Sequence, residues 1–96
     1  MKAKIFSIYD QDINAFSQPW VAQNDGMAMR LFQDNVNDQG SQLNNHPLKF
    51  SLYRIGEWDD KAGSIQQEPE PKLVARAIDV KNEEQIDEEL IVILGH

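Results

Sequence analysis

The sequence predicts an α+β fold: a small antiparallel or mixed sheet of three to four strands, with one principal helix packed on one face. Three observations carry this expectation. "KAKIFSIYD" is enriched in Ile, Phe and Tyr and ends in Asp, the composition of a strand, and apolar and polar residues alternate over "KFSLYRI", the two-residue period of a half-buried strand. Between them, "NDGMAMRLFQDNV" sets apolar residues at helical spacing behind a capping residue. A third run, "KLVARAIDV", returns to strand composition after a proline-rich stretch.

The first strand, Lys2–Asp10, carries Lys2, Lys4, Phe6 and Ile8 on one face and Ala3, Ile5, Ser7 and Tyr9 on the other. "QDINAFSQPWVAQ" has no clean period and contains Pro19, so it reads as a loop with Phe16, Trp20 and Val21 tucked under the domain edge. The helix spans Asp25–Val36. Asn24 or Asp25 can cap it, because a side-chain oxygen accepts from the unpaired amides of the first turn. Met27, Ala28, Leu31, Phe32 and Val36 form its apolar stripe, and Leu31 and Phe32 are expected to be buried. "NDQGSQLNNHP" reads as a polar turn.

In the second strand Leu48, Phe50 and Leu52 share one face, opposite Lys49, Ser51, Tyr53 and Ile55; Gly56 marks a bulge or a strand end. "DDKAGS" is a turn. "QQEPEPK" is an extended, non-helical connector, since a proline disfavours helix in the residue before it. Residues 72–80 complete the sheet. Residues 1–81 make one globular domain, and residues 82–96 form a tail, first acidic and then apolar, that is a candidate oligomerising segment. The start of the tail favours helix and "LIVILG" favours strand.

Composition narrows the function classes. Ninety-six residues hold one modest core. The chain has no cysteine, which excludes disulfides, thiolate zinc sites and a cysteine nucleophile. No apolar run has the length of a membrane span, and the N-terminus lacks the apolar stretch of a signal peptide, so no membrane partner is expected. The formal net charge is −7, of which residues 1–57 contribute −1 and residues 58–96 contribute −6. Nucleic-acid affinity comes largely from neutralising phosphates, so an acidic chain starts at a disadvantage as a binder. Its second half would sooner attract a basic partner.

Motifs with chemistry are few. "DQDIN" opens like a calcium loop, but Ala15 stands where that loop needs glycine and Val21 where it needs glutamate. Glu57, Asp59 and Asp60 would meet Asp10 if the first two long strands ran parallel, and such a cluster could hold magnesium for a metal-dependent nuclease. A solvated turn is the plainer reading of those acids. His46 and His96 have no partner at ligand spacing, and neither a nucleophile elbow nor a phosphate-binding glycine loop is present. A non-enzyme without cofactor, catalytic residue or metal is therefore expected.

The sheet offers more. If the helix covers Phe6, Ile8, Phe50 and Leu52, with Val74 and Ile78, the opposite face shows Ile5, Tyr9, Lys49 and Tyr53. Aromatics beside cations suit single-stranded nucleic acid, because any base stacks on a ring. The candidate nucleic-acid-binding set is Lys4, Tyr9, Lys49, Tyr53, Arg54 and Trp58. On residues alone the favoured reading is packing, with that face closed by the loop at Trp20, by the tail or by another subunit.

Several pieces recur in a familiar order: "KIFSIYD" at residues 4–10, Ala28, Arg30 and Phe32 in the helix, "VND" at residues 36–38, "HP" at His46 and Pro47, and "LYRIGEWDD" at residues 52–60. As an ordered set over residues 1–80 this resembles the small non-structural protein of gokushoviruses, tailless single-stranded DNA bacteriophages of the microvirus group. The resemblance implies an accessory role in genome replication, at the switch to single-strand synthesis and packaging, in the cytoplasm of the host bacterium. It implies single-stranded DNA, or replication or capsid proteins of the phage, as partners, and it transfers no catalytic residue. A sheet with an uncovered face also has reason to self-associate, so a homodimer or higher oligomer is expected.

Overall fold

The computed structural model describes residues 2–82. In chain order the elements are β1 (Lys2–Asp10), β2 (Ala15–Phe16), β3 (Trp20–Ala22), α1 (Asp25–Val36), α2 (Gln42–Asn45), β4 (Phe50–Asp59), β5 (Ser64–Arg76) and α3 (Ala77–Val80). The five strands form one sheet, ordered β2-β1-β4-β5, with β3 also on β1. Every pairing is antiparallel, so the mixed alternative falls away. The α+β class holds broadly, in a molecule that is mainly sheet.

Strand β1 is the spine. It pairs with β4 along its whole length, and on its other edge with β3 through Lys4–Phe6 and with β2 through Tyr9 and Asp10. The segment expected to be a loop therefore contributes two short strands. Pro19 lies between them, where the chain makes no ladder bond for it to break. Trp20 packs against the core, as expected, whereas Phe16 and Val21 are exposed. Trp20 pairs with Phe6, and their ring centroids are 6.1 Å apart.

Helix α1 has the expected bounds. Asn24 caps it, its side chain accepting from the Met27 amide at 2.9 Å. The face it buries is narrower than the sequence stripe. Ala28, Phe32 and Val36 are buried at i, i+4 and i+8, whereas Met27 is exposed and Leu31 is 57% exposed. The expectation for Leu31 is thus corrected: it lies on the flank of the helix, one position from the contact line. Phe6, Ala28, Phe32, Val36, Leu43, Phe50, Leu52 and Ala77 make the core, with Ile8, Trp20 and Val74 packed against it.

Three further segments depart from expectation. The polar stretch before Pro47 closes into α2, where Ser41 caps by accepting from the Asn44 amide at 3.1 Å. The buried Asn44 side chain donates to the Val36 carbonyl at 2.9 Å and so ties that turn to the end of α1. The "QQEPEPK" connector is extended, as expected, but it lies within β5. Strand character then stops at Arg76, and residues 77–80 form the single turn α3, which buries Ala77 and Ile78. Expectations for the tail fall on residues outside those described.

Two irregularities let long strands serve a short core. Between Leu52↔Ala75 and Tyr53↔Leu73, β5 holds one extra residue, so Val74 and Ala75 both reach the core. Gln67 pairs with Gly56 and Lys72 with Arg54, leaving residues 68–71 opposite Ile55 alone. That wide bulge accommodates Pro69 and Pro71. Gly56 continues the strand through it, and a Cβ there would meet the Gln66 carbonyl oxygen at 2.9 Å.

Phe32 is 1% exposed at the centre of the helix–sheet contact. Phe32→Ala should cost about 3–5 kcal/mol, visible as a large drop in melting temperature. Leu31→Ala should melt within a few degrees of the parent protein. Equal losses for the two variants would overturn the packing described.

Candidate interaction face

Directly opposed residues in an antiparallel ladder share a face. Phe6 with Arg54, Ile8 with Leu52 and Lys4 with Glu57 lie on the helix side. Ala3 with Trp58, Ile5 with Gly56, Ser7 with Tyr53 and Tyr9 with Ser51 lie on the reverse. Phe16, paired with Tyr9, and Val21, paired with Ile5, extend that reverse face on one side. Leu73, paired with Tyr53, and Ile65, paired with Trp58, extend it on the other. No described helix covers it.

Three rings gather at its centre. Tyr9 and Phe16 lie 4.9 Å apart, Phe16 and Tyr53 5.5 Å, and Tyr9 and Tyr53 6.3 Å, the last two edge-on. Such tilted and edge-to-face contacts are favourable. The Tyr9 hydroxyl donates to the Asn14 side chain, whose left-handed backbone (φ 56°) turns the chain from β1 into β2. Beneath the rings Ser7 is fully buried, and its hydroxyl donates to the Ser17 carbonyl at 2.7 Å. Around them Phe16 (44%), Val21 (53%), Leu73 (56%) and Ile65 (69%) are exposed.

The six candidate residues thus divide. Tyr9 and Tyr53 come together. Trp58 is on the same face but five residues further along β4, about 16 Å at the strand rise. Lys49 stands just before β4, exposed, with Asp12 at 3.3 Å. Lys4 and Arg54 lie on the helix side. Lys4 meets Glu57 at 2.7 Å. Arg54 binds both carboxylate oxygens of Asp25, at 3.1 and 2.9 Å, and Glu68 at 3.3 Å. Residue-level reasoning missed Phe16, Val21, Ile65 and Leu73 as parts of the face. Their signal was pairing with known strand residues, which no short-range pattern records.

Cations near the sheet are largely spoken for. Lys2, Lys4, Lys49, Arg54, Lys72 and Arg76 each have a carboxylate within 4 Å. Donating to the Asp25 carboxylate raises the Arg54 pKa, and donating to Asp79 raises that of Arg76. The antiparallel ladder also separates the acids. Asp10 pairs with Phe50 at one end of β4, and Asp59 pairs with Lys2 at the other, so the parallel arrangement a four-carboxylate site required does not occur. Among the described residues no group of three or more His, Asp or Glu could hold a metal ion, and no helix is long and apolar enough to cross a membrane.

Fold and face together define a small antiparallel-sheet protein with one face packed on helices and an aromatic reverse that no described helix covers. The chain belongs to the Phage ORF5 protein family, whose profile matches residues 3–80, and so to the proteins of bacteriophages. No curated protein and no solved structure matches it.

The hydrogen bond from Lys4 lowers the Glu57 pKa below its ordinary value. A carboxylate depressed in the folded state stabilises fully above its unfolded pKa, and that contribution is lost as pH falls through the lower folded value. The acid side of a plot of melting temperature against pH should therefore be shallower for Glu57→Gln than for the parent protein; coincident slopes would show that the pair does not contribute. Arg54→Met breaks ties to α1 and to the β5 bulge. It should lower stability by about 1 kcal/mol, or roughly 4–8 °C in melting temperature.

Proposed function

We propose that this protein is a non-enzymatic, non-structural accessory protein of a gokushovirus-type single-stranded DNA phage. It acts in genome replication, or in the switch to single-strand synthesis and packaging, within the cytoplasm of the host bacterium. It does so through protein contacts and self-association on its open sheet face. One observation carries this reading: around the half-buried Tyr9 and Tyr53, the apolar side chains of Phe16, Val21, Ile65 and Leu73 are exposed on one sheet face while the neighbouring cations are already paired with acids. Burying apolar surface is worth about 25 cal/mol per Å². Phosphate would have to displace Asp12 from Lys49 or Asp79 from Arg76, on a chain of net charge −7. A homodimer joined through this face follows.

A second reading keeps support from the three-ring cluster, a ready platform for stacked bases of single-stranded DNA. Salt separates the two. A DNA site with one or two phosphate contacts loses affinity as salt rises, with a shallow slope of about 0.7 per contact. An apolar subunit contact is nearly indifferent to salt and depends on protein concentration. Tyr53→Ala combined with Lys49→Ala should shift the oligomer toward monomer in sedimentation, weakening association by about 2 kcal/mol, or roughly thirtyfold in Kd. A double variant that stays oligomeric but loses salt-sensitive oligonucleotide binding would reverse the order of the two readings.

A further inference from the structure

Two polar groups on the reverse face have no partner among the described residues. The Tyr9 hydroxyl donates to Asn14, but the hydroxyl of Tyr53, in the same ring cluster, makes no hydrogen bond there. The indole N–H of Trp58, on the same face of β4, makes none either. Among the described residues the buried side-chain polar atom without a partner is Trp20 Nε1, so these two are not sealed off from solvent. Closing the face would seal them. Buried tyrosine hydroxyls and tryptophan indoles usually find a partner, and a buried donor left alone costs free energy. The face therefore suits an occupant with an acceptor opposite Trp58 and a polar hydrogen opposite Tyr53. Apolar side chains flank both positions, since Leu73 pairs with Tyr53 and Ile65 with Trp58. Between them the face is low, because Ile5 is buried and Gly56 has no side chain.

We infer that the occupant is a second copy of this chain turned end for end, so that Trp58 of each copy lies on the ring cluster of the other and its indole N–H donates to the hydroxyl of the partner's Tyr53. This rests on the proposal that the open face joins two copies, and adds which ends meet. A twofold axis lying between the faces and across the strands keeps β4 over β4 and β5 over β5 while reversing their direction. It passes midway between Tyr53 and Trp58, over the low stretch at Ile5 and Gly56. The same rotation sets Ile65 over the partner's Leu73, both exposed and apolar. It also carries Lys61, in the β4–β5 turn and without an ion pair among the described residues, toward the end that bears Asp10 and Asp12. An axis running along the strands would set like ends together. Trp58 would then meet Ala3 or another Trp58, with no acceptor for the indole N–H, and Lys61 would approach Lys61. Charge and hydrogen bonding thus favour the same arrangement.

The absence of cysteine lets single cysteines report which ends meet in the full chain. Chains carrying Ile65→Cys mixed with chains carrying Leu73→Cys should form disulfide-linked mixed pairs roughly ten times faster than either variant pairs with itself, because docking raises the effective concentration of unlike ends alone. Both positions are exposed, so the fold is retained. In sedimentation, Trp58→Phe and Tyr53→Phe each keep a ring and remove the polar group. The contact occurs twice in the dimer, so each variant should weaken association roughly thirtyfold. The two substitutions together should cost no more than either alone, as for two groups that serve one bond. Like ends crosslinking faster, or losses that multiply in the double variant, would overturn the end-for-end arrangement and leave association through this face standing. A parent protein that stays monomeric at every concentration would overturn both.

Discussion

The antiparallel ladder between β1 and β4 is the constraint on which everything else rests. Nine residues of β1 find partners on β4, from Lys2↔Asp59 to Asp10↔Phe50. The side-chain period of a strand is two, so this register decides at once which residues meet the helix and which meet solvent. Phe6, Ile8, Phe50 and Leu52 are delivered to α1, and Tyr9 and Tyr53 to the reverse. A slip of one residue would exchange those sets and leave Phe6 and Leu52, both fully buried, in water. The same ladder holds Asp10 and the acids after Gly56 at opposite ends. One pairing choice thus forms the aromatic cluster and dismantles the carboxylate cluster.

Arg54 links this ladder to the outer layers. Its guanidinium reaches Asp25 in the first turn of α1 and Glu68 in the bulge of β5. Helix, central strand and bulge converge on a single planar group whose fork suits paired carboxylates. An arginine so engaged reads in sequence as a cation beside aromatics, the composition of a nucleic-acid surface. Only its partners, 29 and 14 residues away, reveal a positioning role.

That distinction marks how far the sequence was legible. β1 and α1 were readable to the residue, because β-branched and aromatic enrichment and an N-cap are local signals. The face carrying Tyr9 and Tyr53 was legible for the same reason. The short strands β2 and β3 were not, since two or three residues show no period and are strands only because β1 offers them partners. Pro69 and Pro71 disguised the middle of β5, although a bulge excuses them from the ladder. Leu31 and Phe32 are adjacent apolar residues on a helix, and 100° of rotation separates core from rim. No pattern within α1 says which of the two the sheet will meet.

The prolines of β5 have a consequence for how copies of this chain can add to one another. Among the described residues β5 is the outer strand on its side of the sheet. Pro69 and Pro71 carry no amide hydrogen, and with residues 68–71 bulged out of register, the middle of that border cannot template an incoming strand. On the opposite border two short strands interrupted by Pro19 leave no long continuous edge either. Among the described residues, neither border offers the long, regular edge that lateral growth, which would propagate without end, requires. What stays available is a broad face, and two identical faces meeting about a twofold axis satisfy each other fully. Were copies of this chain to associate, the geometry of these edges would favour a finite, self-terminating assembly over a fibre.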